Sequence, residues 1–410
     1  MNKKPIRILR IIARLNVGGP AIQAICLSKK LSNRDFQTLL VCGPVGHGEG
    51  DMSYLAQGDG VQPLLIAELC RELSPIKDLK SFFKLRRIIM RYKPHIIHTH
   101  TAKAGTLGRL AAMSTRWSTS SRKRIKLVHT FHGHVFNGYF SPKKTSVFLM
   151  IERTLARITD TIVAISDSQK KELSEQYRIA LADRIRKVEL GFNLTPFLDC
   201  RQHIGKLRRK IGVDKKTVLI GIIGRLVPIK NHRLFLESVR ILIDGNPALK
   251  LKFLIVGDGE LKESLKKSCL AMGINSHVVF LGWIKDVSEV YADLNILALT
   301  SINEGTPVSI IEGMASSVPV VATDAGGVKD LLGKTIADHN RLKVCEKGLL
   351  CPQNDPGQFA VALEYQLKSG EQEKGERVAA AQDFVVRRYS DERLVRDIEA
   401  LYLELLGSAD

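Results

Sequence analysis

Two glutamates with seven residues between them, Glu304 and Glu312, bracket the run Gly305-Thr306-Pro307-Val308-Ser309-Ile310-Ile311. Each carboxylate oxygen accepts directed hydrogen bonds, so such a pair suits the hydroxyls of a sugar. Pro307 is predicted in the first turn of a helix, with Thr306 or Ser309 satisfying free N–H groups at its start. Exposed amides after Gly305 suit phosphate. Taken alone, the same run also reads as a helix cap beside an ordinary surface glutamate.

A second run, Gly224-Arg225-Leu226-Val227-Pro228-Ile229-Lys230-Asn231, leaves a predicted strand at its carboxyl end. Arg225 offers a fork to paired phosphate oxygens and Lys230 a point charge. A solvated basic loop is the plain alternative. Asn16-Val17-Gly18-Gly19-Pro20 follows the first predicted strand. Gly18 and Gly19 let backbone approach a phosphate at a helix N-terminus, or they form a tight turn.

Histidines make a third group: His98 and His100 end one strand, and His129-Thr130-Phe131-His132-Gly133-His134 ends another. Alternate strand residues share a face, so each pair can converge. His-x-His spacing is compatible with a metal, but the usual carboxylate or thiolate partners are not grouped nearby. The expectation is therefore no metal and no cofactor. His98, His100, Lys103 and His134 are expected to bind an acceptor or a phosphate, with a core or surface histidine as the alternative at each position. Gly257-Asp258-Gly259-Glu260 resembles the start of a dinucleotide fingerprint, but Lys262 stands at the third glycine position, so no NAD site is predicted.

These residues need a scaffold of strand ends. Apolar runs at 6–13, 38–42, 95–98, 126–130 and 161–164 read as buried strands, separated by helical spacing at 21–31, 79–91, 103–113 and 144–158. A second series of strands follows at 218–223, 251–256, 278–281, 296–299 and 318–322. Helices are predicted at 382–389 and 391–406. Alternating strands and helices imply parallel sheets covered on both faces. With 410 residues, the chain suits two such domains. The expected fold is α/β, two doubly wound Rossmann-like domains facing across a cleft: 1–195, a linker at 196–216, then 217–385. In such sheets ligands bind beyond the carboxyl ends of the strands.

Lys and Arg number 62 against 42 Asp and Glu, a formal charge of +20, which attracts polyanions or acidic lipid. The seven cysteines show no C-x-x-C, as for reduced thiols in a cytosolic protein. The apolar run 8–13 is short and broken by Arg10, so neither a signal peptide nor a membrane span is predicted. Lys77, Lys80, Lys84, Arg86, Arg87, Arg91 and Lys93 are interleaved with Phe82 and Phe83, which suits an anionic membrane surface, or a solvated face.

Over nearly its whole length the chain resembles the retaining glycosyltransferases of family 4, with the GT-B fold. The resemblance rests on Gly18-Gly19, Gly224-Arg225 with Lys230, the Gly257–Glu260 turn and above all the Glu304…Glu312 spacing. It implies that Arg225 and Lys230 hold a donor diphosphate, that Glu304 contacts the transferred sugar and that Glu312 binds the ribose. It implies further that Gly19 approaches the diphosphate, that the backbone at Trp283-Ile284 meets the base, and that His132 is the active-site histidine. Gly305, Thr306, Pro307 and Val308 belong to the donor site on the same ground, and 386–410 is the part that returns to the N-terminal domain. The segments 98–108 and 129–140 look like a bacterial subgroup of surface-polysaccharide enzymes. The expected reaction moves a hexosyl or N-acetylhexosaminyl group from a UDP-linked sugar, without a metal, to a glycan or polyprenyl-pyrophosphate-linked acceptor. The expected place is the inner face of the cell membrane. A nucleic-acid-binding protein and a sugar-nucleotide epimerase are the rival readings; aromatics at 6% and the Glu304/Glu312 spacing, respectively, argue against them.

Overall fold

A computed structural model describes residues 4–407, apart from 17, 34, 47–49, 59, 71, 117–123 and 133–141. Two compact units divide the chain: residues 1–192 with 391–410, and residues 193–390. Residues 196–216, expected as a linker, lie in the second unit. There Asp293 accepts from the Gly205 and Arg208 amides at 2.7 and 3.1 Å, and Phe197 meets Tyr291 edge to face. The segment that belongs to the first unit starts at 391.

The first unit is built on β1 (Ile6–Arg14), β2 (Phe36–Gly43), β3 (Leu64–Leu65), β4 (Ile96–His100), β5 (Lys126–Thr130), β6 (Thr161–Ala164) and β7 (Ile185–Lys187). All pairs are parallel, in the order β3-β2-β1-β4-β5-β6-β7. The apolar runs make this sheet because both faces are covered. Leu9, Ile11 and Ile97 pack with the helices Pro75–Tyr92 and Ala102–Arg116 on one face. Ile8, Ile96, Val128 and Val163 pack with Leu394, Ile398, Leu401 and Tyr402 of the helix Asp391–Gly407 on the other. Lys30 adds a 2.7 Å ion pair to Asp391 of that helix.

The second unit has eight strands: β8 (Val218–Ile223), β9 (Leu251–Val256), β10 (Val278–Gly282), β11 (Ile296–Leu299), β12 (Val320–Thr323), β13 (Thr335–His339), β14 (Leu342–Cys345) and β15 (Gly348–Cys351). Their order is β10-β9-β8-β11-β12-β15-β14-β13. Six strands are parallel, and β13, β14 and β15 form an antiparallel meander that closes one edge. In both units the chain builds outward from a central strand, returns, and builds outward the other way. The reversal falls between β1 and β4, and between β8 and β11. These are the topological switch points, where connections diverge and a crevice opens at the carboxyl ends. The architecture is that of two Rossmann-like domains.

Candidate functional site

At the second switch point, the loops after β8 and β11 are stitched together. Ile302 N–H donates to the Ile229 carbonyl at 2.9 Å. Thr300 Oγ1 lies 3.0 Å from the carbonyls of both Lys230 and Asn231. Asn231, at φ 48°, turns the backbone into the helix His232–Gly245. The result brings Lys230 Nζ to 2.5 Å from Glu304 Oε1, and Ser301 Oγ donates to the same oxygen at 2.6 Å. Arg225 is exposed on the same loop and has no carboxylate partner among the described residues. Glu304 is thus oriented from two sides, while Arg225 remains available to an anion.

Glycines hold this arrangement by letting backbones touch. A Cβ on Gly257, at φ 131°, would lie 2.0 Å from the Gly224 carbonyl oxygen, and one on Gly259 would lie 2.5 Å from that of Leu226. The Gly257–Glu260 turn therefore buttresses the Arg225 loop, which accounts for its glycines without a dinucleotide. In the same way Gly327 N–H donates to the Glu304 carbonyl at 3.0 Å, and a Cβ on Gly327 would lie 1.8 Å from the Gly305 carbonyl oxygen. The turn Asp324-Ala325-Gly326-Gly327 after β12 is the support of the Glu304 loop, a role its sequence did not reveal.

The helix Val308–Ala315 begins with Pro307 as its N-cap, and no side chain caps it. The cap expected from Thr306 or Ser309 does not form among the described residues, and there the first amides of this helix have no side-chain acceptor. One and a half turns on, Glu312 is partly buried, and Tyr291 Oη donates to its Oε2 at 3.0 Å. Loss of hydration pushes the Glu312 carboxyl up to about 7, against the opposing pull of the tyrosine hydrogen bond. Tyr291, fully buried, also reaches the Ser309 carbonyl at 3.0 Å and ties glutamate and helix start together. Trp283, 47% exposed, and Ile284 follow β10 at the same end of the sheet. Lys230, Glu304, Arg225, Glu312 and the open helix start therefore share one end of one sheet. That constellation can receive a diphosphate on cations and amides and a polyol on carboxylates.

In the first unit, Gly18 takes φ 152° at the N-cap of the helix Gly19–Lys30, a conformation open to glycine, and among the described residues no side chain caps that helix either. The histidines on β4 and β5 are interior. His98 and His100 are fully buried, their rings stacked at 4.4 Å. His98 Nδ1 is 2.6 Å from Tyr402 Oη and its Nε2 is 2.7 Å from Thr130 Oγ1, so neither nitrogen is left for an acceptor. His100 Nδ1 is 2.8 Å from His132 Nε2. Burial depresses the His132 pKa to about 3 and holds His98 and His100 well below the usual range, so all three are neutral. Of the expected acceptor residues, His98 and His100 are framework behind His132. Lys103 Nζ is 2.5 Å from Asp78 Oδ1, and His134 lies outside the described residues.

On the opposite face of this sheet, Arg109 and Glu152 make a buried 2.7 Å ion pair. On the helix Pro75–Tyr92, Ile76, Leu79 and Phe83 are 71%, 58% and 57% exposed at helical spacing, beside exposed Lys77, Lys80, Lys84 and Arg87. Phe82, grouped with Phe83 by sequence, instead packs against the core. Among the described residues, no helix is long and apolar enough to cross a membrane.

Residues 17–195 match the family model described as Glycosyltransferase Family 4, and residues 217–369 that described as Glycosyl transferases group 1. The chain is 29% identical over 302 residues, 72% of this chain and 74% of the relative, to the Escherichia coli UDP-Gal:alpha-D-GlcNAc-diphosphoundecaprenol alpha-1,3-galactosyltransferase. It is 27% identical over 283 residues, 68% of this chain and 70% of the relative, to the Staphylococcus aureus capsular polysaccharide biosynthesis glycosyltransferase CapM. The crystal structure of Anabaena Alr3699/HepE in complex with UDP and glucose superposes with a TM-score of 0.79 at 20% identity, covering 98% of this chain and 100% of that one, which is a likeness of fold.

Proposed function

Because the chain belongs to the family 4 glycosyltransferases, with two Rossmann-like domains of GT-B type, we propose that it transfers a hexosyl or N-acetylhexosaminyl group from a UDP-sugar to a polyprenyl-pyrophosphate-linked or glycan acceptor, with retention. The observation that carries this reading is the Lys230–Glu304 pair at the second switch point, beside an exposed Arg225 and a helix start that, among the described residues, have no carboxylate partner and no side-chain cap respectively. Arg225, Lys230 and the helix amides stabilise the departing diphosphate, so the reaction proceeds without a divalent ion or other cofactor. Glu304 holds the transferred sugar, and Glu312 the ribose, with Gly305, Thr306, Pro307 and Val308 lining the donor and Trp283-Ile284 meeting the base. In the first unit Gly18 and Gly19 open a helix start to the diphosphate, and His132 touches the reacting sugar. The transition state is oxocarbenium-like, and the leaving phosphate takes the acceptor's proton on the same face of the sugar.

The names of the two relatives support a UDP donor, a diphosphoundecaprenol-linked acceptor and a place in surface-polysaccharide synthesis. Such an acceptor resides in a bilayer, and the exposed Ile76, Leu79 and Phe83 ridge among cations supplies a surface for its inner, anionic leaflet. The test is transfer of radiolabelled sugar from UDP-galactose, UDP-glucose or UDP-N-acetylhexosamines to a short polyprenyl-pyrophosphoryl N-acetylglucosamine, with and without EDTA. Turnover unaffected by EDTA, giving an α-linked product by NMR, is expected. Loss of all activity in EDTA overturns metal independence, and a β-linked product overturns retention. Ile76→Ser with Phe83→Ser is expected to abolish flotation with anionic vesicles.

A further inference from the structure

One charged side chain in the first unit has no part in the reading above. Arg10, in the middle of β1, is fully buried, and among the described residues no carboxylate pairs with it. Its Nη1 lies 3.2 Å from His98 Nδ1, 3.3 Å from Tyr402 Oη and 3.4 Å from His100 Nε2. Nε and Nη2 have no hydrogen-bond partner among the described residues. A buried cation facing neutral rings is costly, and its placement calls for a reason.

A guanidinium only donates hydrogen bonds. The nitrogens it faces must therefore be lone pairs, which sets the proton position on every ring in turn. His98 Nδ1 accepts, so the His98 proton is on Nε2 and donates to Thr130 Oγ1 at 2.7 Å. Tyr402 Oη completes that corner by donating to His98 Nδ1 at 2.6 Å. His100 Nε2 accepts from Arg10, so the His100 proton is on Nδ1 and donates to His132 Nε2 at 2.8 Å. A neutral His132 whose Nε2 accepts carries its proton on Nδ1, the ring atom that is buried and unpaired among the described residues.

We propose that Arg10 is a positioning residue that acts through His100 to lock His132 in the Nδ1–H tautomer, so that His132 meets its ligand as a fixed hydrogen-bond donor and never as a base. The opposite tautomer requires His100 Nε2–H to point at the guanidinium, donor against donor. Histidine is the one side chain that can pass this instruction along, because one ring nitrogen reports the state of the other. The helix Asp391–Gly407 contributes Tyr402 to the same chain of contacts, which gives the return of the chain to the first unit a chemical role besides packing.

The functional half of this proposal rests on the reading that His132 touches substrate; the tautomer does not. Histidine-ring 15N NMR on the full chain, with His132→Asn to assign the signal, reads the tautomer directly. The wild type is expected to show protonated Nδ1 and bare Nε2 at His132 from pH 5 to 8. Arg10→Met is expected to give a mixture of the two tautomers and to lower transfer roughly 10²-fold, the effect of losing one aligned donor. Should Arg10→Met fail to fold, His100→Phe breaks the same link one step later and is expected to give the same mixture. A His132 that is Nε2-protonated or doubly protonated in the wild type overturns the proposal, as does an unmixed Nδ1–H signal in the folded variants. The expected tautomer with normal transfer by His132→Asn overturns the substrate contact instead.

Discussion

Glu312→Gln separates the ribose-binding reading from a merely structural one. The Glu312 carboxyl is raised from 4.5 to about 7 by burial, with Tyr291 supplying one hydrogen bond. A raised folded-state pKa means that the folded chain holds this proton more tightly than the unfolded chain. Below pH 4.5 the group is neutral in both states and costs nothing. Between 4.5 and 7 the unfolded chain ionises first, and stability falls as the pH rises. Above 7 the penalty is complete, about 3 kcal/mol for a shift of this size. Solvent at the open side of Glu312 reduces this, and about 2 kcal/mol is the working figure. Glutamine is isosteric, accepts the Tyr291 hydrogen bond and carries no charge. The variant is therefore expected to match the wild type near pH 4.5 and to exceed it by about 2 kcal/mol at pH 8 in urea denaturation. UDP binding is expected to move the other way. The wild type should gain affinity from pH 6 to 8 as the carboxylate forms, and the variant should bind weakly at every pH. Parallel stability curves for the two proteins from pH 5 to 8 would refute the buried-carboxyl argument and with it the poised ribose acceptor.

Other expectations follow from the same geometry. Lys230→Ala removes the cation 2.5 Å from Glu304 and is expected to lower kcat roughly 10²–10³-fold at saturating donor, with less loss in Lys230→Arg. Gly327→Ala places a Cβ 1.8 Å from the Gly305 carbonyl oxygen and is expected to displace the Glu304 loop and weaken UDP binding. Gly375→Ala, which meets nothing within 4 Å inside a helix, is expected to leave binding alone and raise stability by up to about 1 kcal/mol in thermal melts. Glu152→Gln strips the buried Arg109 of its counter-charge and is expected to cost about 3–5 kcal/mol of stability, part of which Arg109→Met in the same chain restores.

The local code was enough to lay out most of the parallel strands, because buried parallel strands are continuous apolar runs and these stood out at 6–13, 218–223 and 251–256. It was also enough to single out Lys230 and Glu304, since cations and carboxylates on loops after strands advertise themselves by type. The meander β13–β15 escaped, because β13 is exposed and carries Asp338, β14 is broken by Lys343, and β15 is an apolar run of only four residues. What depended on tertiary structure was which groups touch. Lys230 and Glu304 are 74 residues apart and Tyr291 and Glu312 are 21 apart; only the β8–β11 crossover and the packing around Tyr291 bring each pair within hydrogen-bond reach. Burial is likewise a property of the whole fold: it turned His98 and His100 from expected ligand contacts into framework, and Arg10 from a charge breaking an apolar run into the interior partner of three rings. Residue type sets what a side chain is able to do in water, and the fold sets which water it loses and which neighbour replaces it.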